Sequence, residues 1–222
     1  MGFSEELLDR AKPIREKISQ HPFVRGLGDG TLAEERFRFY MEQDYLFLIE
    51  YSRVFALAAA KGPDLETMGR FAELLRSTLS VEMELHRSYA AEFGISRDDL
   101  ERAPVAATTH AYTRHLLSVA WGGSIVEIAA SLLPCQWGYW ELGRDLAARA
   151  EAGQRGRYHR WIETYSAREF GELAEWLCAL VNRLAEGRRP EELARTEREF
   201  MASSHYELMF WEMAWRRELW PA

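Results

Sequence analysis

Residues 31–60 read TLAEERFRFYMEQDYLFLIEYSRVFALAAA, and apolar side chains return through them every three or four positions, the period of an amphipathic helix. Thr31 has the character of an N-cap, and Glu34 follows three residues later in a capping-box pattern. Gly62-Pro63 supplies the stop. A helix is therefore predicted from Thr31 to about Ala60. Tyr40, Asp44, Phe47 and Tyr51 fall on one face of it, which sets a carboxylate among aromatic rings. A carboxylate so placed is paired, hydrogen-bonded or shifted in pKa. A bond to a core tyrosine hydroxyl accounts for it as well as a functional role does.

The same period extends to both sides. One helix is predicted from Ser4 to Gln20, ended by His21-Pro22, because the residue before proline is pushed out of helical geometry. The Gly26 to Gly30 stretch reads as a loop. Downstream, helices are predicted over Leu65–Phe93 with Gly94 as terminator, from after Pro104 to about Trp121, and over Ser124–Ala150, Tyr158–Tyr165, Ala167–Glu186 and Pro190–Leu219. No segment alternates in the manner of a strand. The fold class is all-α, and the helix lengths favour a bundle joined by short loops.

Composition bounds what such a bundle can do. The 222 residues show no shift that marks a boundary, so a single domain over 1–222 is expected. Hydrophobic residues at 47% and charged residues at 28% suit a globular core. A net charge of −7 without a Lys/Arg cluster argues against a nucleic-acid partner and for a small molecule. The N-terminal MGFSEELLDRAKPIREKI has no apolar signal region, and no stretch of about twenty apolar residues follows. A cytoplasmic protein without a membrane span is expected, with Cys135 and Cys178 as thiols. The histidines at 21, 86, 110, 115, 159 and 205 form neither HExxH nor Glu-x-x-His, so no metal is expected. Nucleotide loops and a GxSxG elbow are also missing.

Two further positions stand out. In IVEIAASLLPCQWGYW at 125–140, Pro134 removes one helical hydrogen bond and is expected to kink its helix, with Cys135 just beyond and Tyr139 one turn on. Cys135 is there either a small buried hydrophobe or a reactive thiol facing the space a kink opens. Cys178, within AEWLCALVNRL, reads as structural. In the last helix Glu207 sits in a stripe of Phe200, Ser203, Ser204, Phe210 and Trp211. Burial would raise its pKa towards the range useful for proton transfer, and a structural role is equally open. Three such positions on three helices match the way bundles build a core site.

These residues lie in strings that resemble signatures of the thiaminase II (TenA) family: EQDYLFL at 42–48, LPCQWGYWELG at 133–143, WIETYSAREF at 161–170 and SSHYELMFWEMA at 203–214. The resemblance spans essentially the whole chain. It implies a haem-oxygenase-like all-α fold and a homotetramer. It implies hydrolysis of 4-amino-5-aminomethyl-2-methylpyrimidine to the hydroxymethyl form with release of ammonia, a thiamin-salvage step needing no cofactor, with thiamin cleaved more slowly. Cys135 would be the nucleophile, as in the cysteine-bearing subgroup, Glu207 the proton donor and acceptor, and Asp44 the group that hydrogen-bonds the aminopyrimidine. Tyr112, Tyr139, Tyr165 and Phe210 match positions that stack on or hydrogen-bond the ring. Two departures stand beside these matches. Phe47 occupies a substrate-contacting place where many relatives carry tyrosine, and His205 replaces a common arginine. A non-catalytic pyrimidine-binding or regulatory protein is the alternative. An oxidase on the same fold is a further one, but it would bring several histidines and an arginine into its pocket.

Overall fold

A computed structural model describes residues 2–149 and 156–221, and no strand occurs among them. The N-terminal segment forms three helices, α1 (Phe3–Arg10), α2 (Lys12–Ser19) and α3 (Pro22–Asp29). The predicted Ser4–Gln20 helix is thus divided at Ala11. Pro13, in the first turn of α2, cannot donate to the ladder of a helix running through it and clashes with the carbonyl four residues back. The predicted loop over Gly26–Gly30 is mostly the end of α3. Pro22 ends one helix but begins the next, where its missing N–H costs nothing. His21 caps that start, its Nδ1 accepting from the Phe23 amide at 3.2 Å, and Gly30 ends α3 in the left-handed region at φ 75°.

The stretch quoted above forms α4 (Glu34–Lys61), three residues later than predicted at its start. Thr31 does not cap it. Its amide and hydroxyl both donate to Asp29 Oδ1, at 3.0 and 2.6 Å, closing the turn instead. The predicted 65–93 helix exists but changes character midway. It comprises α5 (Leu65–Ser77), a π-helical turn over Thr78–Glu82, and α6 (Met83–Glu92). A short helix without a sequence prediction, α7 (Arg97–Arg102), starts at a capping box in which Ser96 and Asp99 satisfy each other's amides. Then come α8 (Ala107–Gly122), α9 (Ile125–Arg149), α10 (His159–Ser166), α11 (Arg168–Ala185) and α12 (Pro190–Arg216). Helix α9 continues through Pro134; Ala150, its predicted end, lies outside the described residues. Helix α12 stops before the predicted Leu219 because Arg217 turns left-handed at φ 54° and the Glu218 amide returns to the Met213 carbonyl at 3.0 Å.

The helices gather into two compact units. The first, Met1–Leu32 with Ala129–Glu212, has a core that includes Leu7, Phe23, Leu133, Tyr139, Trp161, Phe200 and Trp211. Helix α1 is tied to α11 where the Ser4 amide donates to Asn182 Oδ1 at 2.7 Å. The second, Ala33–Ile128 with Met213–Ala222, is organised around α4, whose buried stripe of Phe37, Tyr40, Met41, Asp44, Phe47 and Tyr51 keeps the 3.6-residue period. Beside that stripe, buried Gln43 donates to the Pro104 carbonyl and accepts from the Ala106 amide and the Thr109 hydroxyl, each at 2.9 Å. Those bonds fix the entry to α8.

Candidate active site

In the unit built on α4, Asp44 is 6% exposed. The Tyr40 hydroxyl one turn earlier donates to its Oδ2 at 3.5 Å, a long bond of the structural kind expected for a core carboxylate. The second neighbour is a residue that sequence reasoning passed over. His86, on α6, places Nδ1 3.6 Å from the same oxygen while Nε2 lies 2.9 Å from the Met41 carbonyl. A carbonyl only accepts, so Nε2 carries the proton. Burial is the main cause that lowers the His86 pKa, to about 4, and the imidazole is neutral at pH 7. It therefore turns a lone pair, not a donor, towards Asp44. The signal in sequence was a histidine three residues after Met83 and three before Tyr89, on the buried side of its helix, and metal-ligand spacing was the wrong test for it.

One turn beyond Asp44, Phe47 stacks on Tyr51 with centroids 5.2 Å apart and meets Tyr112 of α8 at 5.0 Å. All three rings are buried. Asp44, Phe47 and Tyr112 thus form one aromatic and acidic constellation. Glu82, in the π turn, accepts from the Thr78 hydroxyl at 2.8 Å, and burial raises its pKa.

In the other unit, Cys135 is half-buried on α9, directly after Pro134 and one turn before Tyr139. Tyr139 belongs to an aromatic wall: its ring lies 4.7 Å from Tyr165, 5.8 Å from Trp161 and 5.4 Å from Trp211. Glycine makes this wall possible. A Cβ on Gly143 would fall 2.4 Å from the Tyr165 carbonyl carbon, so only glycine lets α9 approach the end of α10 and set Tyr165 against Tyr139. Glu207, on α12, is 5% exposed and shares a cavity wall with Tyr139, Ser204 and Trp211. Phe210 is buried three residues on, whereas His205 is exposed.

The two cysteines differ in kind. Burial pushes the Cys178 thiol up to about 11, which leaves it protonated and inert near neutrality. Among the described residues no three His, Cys, Asp or Glu side chains are grouped to hold a metal ion, and no helix is long and apolar enough to cross a membrane.

A family model for TENA/THI-4/PQQC matches residues 8–217. The chain belongs to the TENA/THI-4/PQQC family. Three curated members are each named aminopyrimidine aminohydrolase. That from Halalkalibacterium halodurans is 46% identical over 99% of this chain and 98% of its own. Those from Bacillus subtilis and Helicobacter pylori are 38% and 36% identical, covering 92% and 100% of their own lengths. Among solved structures, a TenA homologue from P. horikoshii OT3 superposes with a TM-score of 0.90 at 29% identity, covering 97% of this chain and 99% of that one. A domain with a heme oxygenase-like fold from Shewanella denitrificans superposes at 0.74 with 14% identity, a likeness of fold alone. The fold is thus all-α, as the helical period predicts, and haem-oxygenase-like, as the resemblance implies.

Proposed function

We propose that this chain is an aminopyrimidine aminohydrolase that converts 4-amino-5-aminomethyl-2-methylpyrimidine and water into the 5-hydroxymethyl compound and ammonia. One observation carries the reading: identity at 36–46% along nearly whole chains to three relatives of that name. Residue chemistry supports it. The Cys135 thiolate adds to the pyrimidine ring, forming a C–S bond and breaking aromaticity. The ring electrons then expel the exocyclic nitrogen, which leaves as ammonia with a proton from Glu207. Water bonds to the exposed methylene carbon and returns its proton to Glu207. Cleavage of the C–S bond restores the ring and the thiolate.

Asp44 takes the aminopyrimidine edge, whose amino group donates to a carboxylate. Phe47, Tyr112, Tyr139, Tyr165 and Phe210 supply ring faces for a flat heterocycle. Phe47 offers no hydroxyl, so the contact a tyrosine would make is replaced by packing alone. The chain works as one functional domain in a cytoplasmic homotetramer, without a cofactor, and cleaves thiamin as a slower reaction. Ammonia release from the aminomethyl pyrimidine by the purified protein tests the activity, and sedimentation tests the tetramer. Binding of the pyrimidine without turnover would instead favour a non-catalytic role.

A further inference from the structure

Glu207 lines a cavity that Tyr139 borders but Asp44, Phe47, Tyr112, Tyr165 and Phe210 do not. It measures about 20 Å³ and is bounded by α1, α2, α9 and α12. Tyr139, Ser204 and Glu207 form its buried end. At its outer end stands an ion pair between Arg15 and Glu141, whose side chains are 22% and 37% exposed. The Cys135 side chain is not part of its wall.

Three features fit this cavity to one small ligand. The room suits a single water, which needs about 10–15 Å³. Two buried N–H donors on wall residues, Arg15 Nε and Trp137 Nε1, have no hydrogen-bond partner among the described residues. Leaving such a donor unsatisfied costs about 1–3 kcal/mol, so the cavity calls for an acceptor. Gly138, inside α9, also lines the space, and a Cβ built there meets nothing within 4 Å. Glycine within a helix costs about 1 kcal/mol relative to alanine; here no close neighbour demands it, and a side chain would fill the opening. A molecule that accepts from the two donors and gives a proton to Glu207 is water. Anions are disfavoured by carboxylates at both ends.

We propose that this cavity is the water port of the hydrolysis. It holds the water that replaces the departing amine, lets ammonia leave by the same route, and opens to solvent beside the Arg15–Glu141 ion pair. The inference rests on the aminohydrolase reading. Amine departure comes first, breaking the C–N bond with a proton from Glu207. The port's water then forms the C–O bond, its proton passes to the Glu207 carboxylate, and the thiolate is expelled.

Filling the port tests it. In Gly138→Leu, kcat and KM for the aminomethyl pyrimidine fall together, by about tenfold or more, while kcat/KM stays near the wild-type value because the slowed step follows amine departure. The thiol adduct accumulates, and its intact mass is that of the chain plus substrate less ammonia. Gly138→Ala shows a smaller effect in the same direction. Should the leucine variant not fold, Trp137→Phe, which removes one donor, shows the parallel fall in kcat and KM with adduct. A folded Gly138→Leu with wild-type kcat and no adduct overturns the port, as does a loss confined to kcat/KM. Wild-type protein that releases no ammonia overturns the aminohydrolase reading itself, and the port with it.

Discussion

The His86 imidazole lies with Nδ1 3.6 Å from Asp44 Oδ2 while its other nitrogen is committed to the Met41 carbonyl. The packing that holds Asp44 in place therefore contains a base that must stay neutral, and the cost of charging it appears as acid sensitivity. In the unfolded chain His86 takes a proton as pH falls through 6.5, whereas in the folded protein burial, with the Arg87 charge assisting, delays this to about 4. The unfolded state binds more protons between these values, so stability rises with pH across that window and is complete above 6.5. The contribution is on the order of 3 kcal/mol. Urea unfolding at pH 7 and pH 4.5 measures it. In His86→Gln the part of the loss due to this group disappears.

Alkylation separates the two thiols. Cys178, at about 11, carries thiolate on the order of one molecule in 10⁴ at pH 7 and is buried. Limited iodoacetamide treatment of the native protein followed by peptide mass mapping finds label on Cys135 and none on Cys178 until the chain unfolds.

Gly143→Ala introduces a methyl group into the contact between α9 and the end of α10. The nearest atoms are backbone, the Tyr165 carbonyl carbon and oxygen and the Ser166 nitrogen, all within 2.7 Å of the new carbon. Alanine's helix preference, about 1 kcal/mol, does not offset that overlap. The variant loses about 1–3 kcal/mol of stability, read from its denaturation midpoint. Because Tyr165 must shift away from Tyr139, KM for the pyrimidine also rises.

The helical period decided the architecture because burial of one stripe on α4 needs only local spacing to be seen. What escaped the sequence reading depended on single backbone events. Pro13 and Pro22 each start a helix, and a proline that starts one helix looks the same in sequence as one that only ends another. The π turn at Thr78–Glu82 contains neither proline nor glycine to announce it. At the site, Asp44 and Glu207 were legible as charges on apolar faces, and both are buried. His86 was not, because its importance lies in which nitrogen faces Asp44 and which faces a carbonyl. That is a property of α4 and α6 together.

Gln43 gives a test of how the second unit is held. Gln43→Ala removes the side-chain partners of the Pro104 carbonyl and the Ala106 amide, while the Thr109 hydroxyl keeps Met213 Sδ as an acceptor at 3.4 Å. Each buried group left unsatisfied costs about 1–3 kcal/mol. The variant should lose at least that much stability in chemical denaturation.

Ammonia release from 4-amino-5-aminomethyl-2-methylpyrimidine, compared between the wild-type protein and folded Cys135→Ser and Glu207→Gln variants, probes the central claim most directly. Wild-type protein releases ammonia in step with the hydroxymethyl product, Cys135→Ser releases none above background, and Glu207→Gln is slower by about 10²-fold or more. Cys135→Ser turning over at the wild-type rate would contradict the account.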